Sequence, residues 1–272
     1  MLSRIVSALI LSTGIVAVLL FTPPWALGLV VLLALFLCVG EYQKMARPEA
    51  SGFERGAFLL ACLAVVCWPA VAKYATPVYT HGVAFLVAFM VLAVSRLARP
   101  LPLESALNKL GLDMAGLLYI GATFPFVFLL RDRPDGGWTL VMVMGITFLS
   151  DTGGYFAGRF LGKRKLYPAV SPKKTIEGLF GGLALAVAAA FVARHFFPGH
   201  GHLTVVDCIV LGVVGALFAV TGDLFESLIK RSTGVKDSGN LIPGHGGMLD
   251  RIDGLLFCGP FCWFYLELFA AG

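Results

Sequence analysis

The sequence predicts an all-α, polytopic membrane protein with about nine transmembrane helices. Three observations predict it: 58% of the 272 residues are hydrophobic, only 14% are charged, and the apolar residues fall in long runs broken by Gly, Pro and charge. A soluble domain keeps roughly 25% charged residues, and a spanning helix needs roughly 20 mostly apolar ones. A chain this poor in charge therefore belongs in a bilayer.

Taken in order, the runs predict helices over residues 4–22, 25–43, 56–74, 79–97, 112–130, 137–160, 176–197, 205–231 and 253–271. The first run, Ile5 to Phe21, follows Arg4 and precedes Pro23-Pro24. It is long for the apolar part of a signal peptide and no small-x-small cleavage site follows it, so it is read as a span. The six cysteines (Cys38, Cys62, Cys67, Cys208, Cys258, Cys262) lie in or beside apolar runs without CxxC or Cys/His spacing, and read as small core residues.

Lys and Arg concentrate on one side of this layout. Arg4, Lys44, Arg47, Arg55, Arg96, Arg99, Lys109, the run from Arg159 to Lys174, and Lys230, Arg231, Lys236 and Arg251 share that side. Lys73, Arg131, Arg133 and Arg194 take the other. Cytoplasmic loops carry the positive excess, so the N-terminus is expected in the cytoplasm and the C-terminus outside, in the inner (plasma) membrane.

Two cytoplasmic segments hold more chemistry than a connector needs. In the eighth helix Asp223, Glu226, Ser227 and Lys230 stand at i, i+3, i+4 and i+7, which places them on one face. Acids inside an apolar helix are costly, so such a stripe marks a site, or else a salt-bridged seam between helices. The following loop contains Gly244-His245-Gly246-Gly247, whose backbone can approach phosphate oxygens closely. Asp250 and Asp253, three apart, either present carboxylates to a metal or cap the ninth helix. Carboxylates are hard ligands suited to Mg2+, and Asp223 with Asp250 is the preferred pair.

The other segment follows the sixth helix. Asp151, Tyr155 and Arg159 share a helical face, and Gly154-x-x-x-Gly158 permits close helix contact. The basic run from Gly162 to Lys174 is either a positive-inside determinant or a binding surface for a triphosphate or anionic lipid headgroups. The small-residue faces Gly154/Gly158 and Gly178/Gly181/Gly182 suit contacts within or between chains. His200 and His202 fall on the outer side and make a poor metal site on their own.

The stretch Ser227-x-x-Lys230-Arg231-x4-Lys236-Asp237-x-Gly239-x2-Ile242-Pro243-x-His245-Gly246-Gly247-Met248-x-Asp250-Arg251-Ile252-Asp253 resembles the signature of the phosphatidate cytidylyltransferases at every defined position. Ser150-Asp151-Thr152, Gly158-Arg159, Gly162-Lys163 and Ser171-Pro172-Lys173-Lys174-Thr175-Ile176-Glu177-Gly178 extend the likeness upstream. The resemblance implies CTP and phosphatidic acid as substrates, dependence on Mg2+, and a second, monovalent cation such as K+ beside it.

On this reading the N-terminal helices cover 1–110 and the catalytic region 111–272, with cytoplasmic loops 159–176 and 231–252. Catalytic roles fall on Asp223, Lys230, Arg231, Lys236, Asp237, His245, Asp250 and Arg251. Substrate contacts fall on Asp151, Arg159, Lys163, Ser171, Lys173, Lys174, Glu177, Ser227, Gly246 and Gly247. The metal is assigned to Asp223 and Asp250, supported by Glu226 and Asp253.

The expected partners are the two substrates, the lipid bilayer and a second copy in a homodimer, with no nucleic acid. Two rivals stand beside this reading: a CTP-dependent lipid-alcohol kinase, which releases CDP instead of pyrophosphate, and a secondary transporter. Transport predicts acids near the membrane midplane, whereas these cluster with Lys, Arg and Gly at one surface.

Overall fold

The computed structural model describes residues 13–72, 80–239 and 246–270. Residues 4–12 of the first expected span, 73–74 of the third, 79 of the fourth, the last residue of the ninth and His245 thus lie outside the described residues. Helix α1 covers 13–21. After it come α2 (Pro24–Ala46), α3 (Gly52–Val66), α4 (Trp68–Ala72), α5 (Thr80–Ala98) and α6 (Leu103–Gly116). A π-helical turn (Leu117–Gly121) joins α6 to α7 (Pro125–Arg131), and α8 spans Gly136–Phe160. A hairpin of β1 (Lys165–Tyr167) and β2 (Ser171–Thr175) leads to α9 (Ile176–Phe196), α10 (Val205–Ser232) and α11 (Leu249–Leu268).

Among the described residues, five helical runs are long and apolar enough to cross a membrane: Trp25–Ala46, Leu103–Arg131, Gly136–Phe160, Ile176–Phe196 and Val205–Ser232. At 1.5 Å per residue even the shortest, 21 residues, exceeds the ~30 Å hydrocarbon layer. The all-α membrane class holds, and the antiparallel β1–β2 hairpin, where the sequence suggested only a loop, is the sole sheet among the described residues.

Two expected spans are cut differently. The run expected at 56–74 starts earlier, because Ser51 and Glu54 form a capping box that begins α3 at Gly52. It stops at Val66, and Pro69, lacking an N–H, sits in the first turn of the separate α4. The span expected at 112–130 lies inside a longer run that starts at Leu103 and passes through the π-turn.

The α8–α9 seam shows why glycine is needed. A Cβ on Gly153 would strike the Gly181 carbonyl, and one on Gly178 would lie 2.7 Å from the Gly154 carbonyl oxygen. The two small-residue faces therefore pack on one another within the chain, which answers the question the sequence left open.

The ends of α2, α3, α5 and α6 are tied by a buried ion network. Arg47, 1% exposed, reaches Asp113 at 2.8 Å, Glu54 at 3.1 Å and Glu49 at 2.7 Å. Arg96 bridges the same Glu54 and Asp113 at 2.6 and 3.1 Å. Two arginines that read as loop charge are thus internal. Burial pushes the Glu54 carboxyl up, but hydrogen bonds from Ser51 and Arg96 outweigh this and hold it at about 2.

Because that value lies below the ordinary one, Glu54 contributes stability that is fully present above the ordinary carboxylate range. The contribution fades as pH falls through about 2. Replacing Arg47 by Met strands buried acids with one cation, and should cost about 3–5 kcal/mol of unfolding free energy in detergent micelles. A loss under about 1 kcal/mol, typical of an exposed pair, would contradict the role given to the network.

Candidate active site

Helix α10 carries the stripe that its spacing predicts. Lys230 Nζ donates to Glu226 Oε2 and to Asp250 Oδ1, both at 2.6 Å, and so bridges α10 to the start of α11. Ser227 Oγ donates to Asp223 Oδ1 at 3.3 Å. The two helices approach closely here because residue 222 is glycine: a Cβ would strike the Asp253 carbonyl. That proximity sets Asp253 within electrostatic reach of Asp223, Glu226 and Asp151.

Asp250 is held by the chain itself. Its Oδ2 accepts from Ser238 N (2.9 Å), Ser238 Oγ (2.8 Å) and Gly247 N (2.8 Å), while Oδ1 takes Lys230. The expected pair Asp223 and Asp250 therefore has separate cations, Lys174 for one and Lys230 for the other. The carboxylates that share mutual electrostatic reach with Asp253 are Asp151, Asp223 and Glu226, and Asp250 joins them through Lys230.

Sequence reasoning missed Glu41. This buried residue of α2 accepts from Met248 N and Leu249 N, both at 2.8 Å, and from Ser238 Oγ at 3.1 Å. Met248, the N-cap of α11, has no capping side chain of its own, so the distant Glu41 caps the helix in its place. This brings the start of α11 forward to Leu249, four residues before the expected 253. The signal was present as an acid inside an apolar helix, the criterion applied to Asp223.

The hairpin presents the second segment. Thr175 caps α9 by accepting from Gly178 N at 3.0 Å, and Glu177 accepts from Lys163 N (3.0 Å) and Arg164 N (3.2 Å). Side chains alternate along β2, so Lys173 is exposed while Lys174 turns in and pairs with Asp223 at 2.7 Å. Ser171 is half-buried at the start of the strand. Lys174 and Arg251 also act electrostatically on Asp151, which ends the α8 contribution to the cluster.

The remaining assigned residues surround this centre. Arg159, Lys163, Arg231, Lys236, Asp237 and Arg251 are exposed. Gly246 has φ +81°, a backbone open chiefly to glycine, and a Cβ there would lie 2.6 Å from Asp250 Oδ2. A Cβ on Gly247 would overlap Ser238 Oγ and approach the Glu41 carboxylate. His245 lies outside the described residues.

The donor chemistry suits a divalent cation. Fully ionised, Asp151, Asp223, Glu226, Asp250 and Asp253 carry more negative charge than Lys174, Lys230 and Arg251 cancel, and burying such an excess is costly. Two buried oxygens, Glu226 Oε1 and the Tyr119 hydroxyl of the π-turn, have no hydrogen-bond partner among the described residues. No three His, Cys, Asp or Glu side chains among the described residues converge as a preformed cage. Mg2+ does not require one, since it commonly takes one or two carboxylates and completes its shell with water and substrate phosphates.

The opposite ends of these helices are built differently. There a cavity of about 500 Å3 is lined by Arg133, Asp135, His200, His202 and Glu267. His200 Nε2 meets Thr139 Oγ1 at 3.2 Å and its Nδ1 meets the Pro198 carbonyl at 2.7 Å. Burial pushes its pKa down, keeping the ring neutral.

Glu41→Ala leaves the Met248 and Leu249 N–H groups unpaired, at roughly 1–3 kcal/mol for each buried donor. Tryptic cleavage after the exposed Lys236 should then run at least about tenfold faster, since one such loss is worth that factor in local opening. Gly247→Ala should act in the same direction, and wild-type cleavage rates in both would refute the anchoring role.

The profile described as "Cytidylyltransferase family" matches residues 2–269. Bacillus subtilis phosphatidate cytidylyltransferase is 38% identical over 164 residues, 60% of this chain and 60% of that protein. The Haemophilus influenzae protein of the same name is 46% identical over 138 residues, 50% of this chain and 48% of its own length. In both cases the match spans less than two thirds of the relative. The Staphylococcus epidermidis phosphatidate cytidylyltransferase is 31% identical over 252 residues, 91% of this chain and 94% of that protein. The chain belongs to the cytidylyltransferase family.

Proposed function

We propose that this protein is a phosphatidate cytidylyltransferase that transfers CMP from CTP to phosphatidic acid, giving CDP-diacylglycerol and pyrophosphate. One observation carries the reading: the signature residues shared with that family meet at a single acidic, lysine-bridged centre where α8, α10 and α11 come together.

A phosphate oxygen of phosphatidic acid attacks the α-phosphorus of CTP in line. The bond from that phosphorus to the bridging oxygen breaks, and its electron pair leaves with pyrophosphate. Donor and acceptor are both anionic, so their repulsion is the barrier that the protein must lower. Asp223 and Asp253 would hold Mg2+, with Glu226 beside them and Asp250 joined to Glu226 through Lys230. When bound, Mg2+ neutralises and orients phosphate oxygens.

Lys174 and Lys230 hold the carboxylates in place, and their ammonium groups, with that of Lys236 and the guanidinium groups of Arg231 and Arg251, offer charge to phosphate. No nucleophilic side chain is needed, so a covalent nucleotidyl intermediate is not expected. The same reading keeps the second, monovalent cation such as K+ beside Mg2+.

The same reading assigns nine spans, a cytoplasmic N-terminus and an external C-terminus in the inner (plasma) membrane. It treats residues 1–110 as scaffold and 111–272 as the catalytic region with loops 159–176 and 231–252. Glu41 is the scaffold's contribution to the second of those loops. A homodimer would use a surface other than the α8–α9 glycine faces, which are occupied inside the chain.

The test is pyrophosphate release by purified protein supplied with CTP and phosphatidic acid. Asp223→Asn should lower turnover by about 100-fold or more, the scale of losing electrostatic stabilisation at a reacting phosphate. EDTA should abolish turnover and Mg2+ restore it. Release of CDP would favour the lipid-alcohol kinase, and near-normal turnover in Asp223→Asn would refute the site.

A further inference from the structure

We propose that the end of α8 and the β1–β2 hairpin form the landing site for the phosphate headgroup of the lipid acceptor. The inference rests on the cytidylyltransferase reading and gives one of its two substrates a place.

Connectivity puts the hairpin at the membrane surface, because it joins α8 to α9 and both are long and apolar enough to span. The last turns of α8 expose Tyr155, Phe156 and Phe160 at 58%, 53% and 74%. Tyr exposed at the end of a span collects at the headgroup level of a bilayer, and the Phe rings beside it add apolar surface on the lipid side. Phe156 and Phe160 stack with planes 4° apart, and the exposed Arg159 guanidinium lies 6.0 Å above both the Tyr155 and Phe160 rings. It also donates to Tyr155 Oη at 2.8 Å, which fixes a cation at the depth of the rings.

Beyond Arg159 the hairpin exposes Lys163, Arg164, Lys165 and Lys173. The nearby acid, Glu177, accepts from the backbone of Lys163 and Arg164 and so fixes the loop. Lys174 on the next position of β2 faces inward to Asp223. Positive charge therefore runs from headgroup depth to the carboxylate centre, with aromatic rings on the lipid side. A phosphomonoester anchored by acyl chains fits both features, its charge meeting the basic residues and its chains the lipid-side rings.

The experiment measures steady-state kinetics in mixed micelles, varying the mole fraction of phosphatidic acid at saturating CTP and then CTP at saturating lipid. The neutral triple variant K163Q/K165Q/K173Q should raise the apparent KM for phosphatidic acid roughly fivefold or more, the effect of even one surface cation on an anionic lipid. Its KM for CTP should stay within about twofold, and K163R/K165R/K173R should restore the lipid KM because it restores only charge.

A rise in the CTP KM with the lipid KM unmoved would overturn the assignment, as would movement in neither. If the triple variant does not accumulate, Lys173→Gln alone is read by the same two constants. A wild-type enzyme that failed to turn over phosphatidic acid with CTP would instead overturn the function reading itself.

Discussion

Charge neutralisation in an apolar setting is the constraint from which the rest of this structure follows. Carboxylates on α10 and α11 are gathered between packed helices, with the exposed Asp151 of α8 at their edge, and each one taken from water must find a cation or a set of donors. Lys230 serves Glu226 and Asp250 together, and Lys174 serves Asp223. Lys230 could not reach Asp250 if α10 and α11 lay further apart, and Gly222 is what allows their backbones to meet. Packing and electrostatics are thus one requirement at this point in the fold.

Around that centre the protein anchors its irregular segments instead of leaving them as free connectors. Glu41 reaches from the N-terminal helices to cap α11, and Asp250 gathers Ser238 and Gly247. The first loop is treated alike, with Glu177 and Thr175 fixing the hairpin against α9. The main chain of both loops is therefore held by acids. Such preorganisation keeps donors in place while charge moves between substrates.

Much of this was legible in the residues. The apolar runs placed α8, α9 and α10 within a residue of their observed ends, because hydrophobicity alone decides where a span lies. The spacing of Asp223, Glu226, Ser227 and Lys230 gave their common face correctly. What failed to show was everything set by distant partners. The start of α11 depends on Glu41, some two hundred positions earlier, and no local rule contains it. Arg47 and Arg96 read as loop charge because their acids come from other helices. Asp250 looked equal to Asp223 as a ligand, yet its donors Ser238 and Gly247 are apparent only once the loop has folded back.

On the proposed function, the acidic centre is completed by a divalent ion carried in with nucleotide phosphates. Electron paramagnetic resonance of Mn2+ as a stand-in for Mg2+, titrated with protein and CTP in micelles, tests this without relying on turnover. A bound Mn2+ signal is expected in the wild-type protein and should be lost or strongly weakened in Asp253→Asn. Undiminished binding in that variant would show that the ion, and with it the organising role of these carboxylates, lies elsewhere.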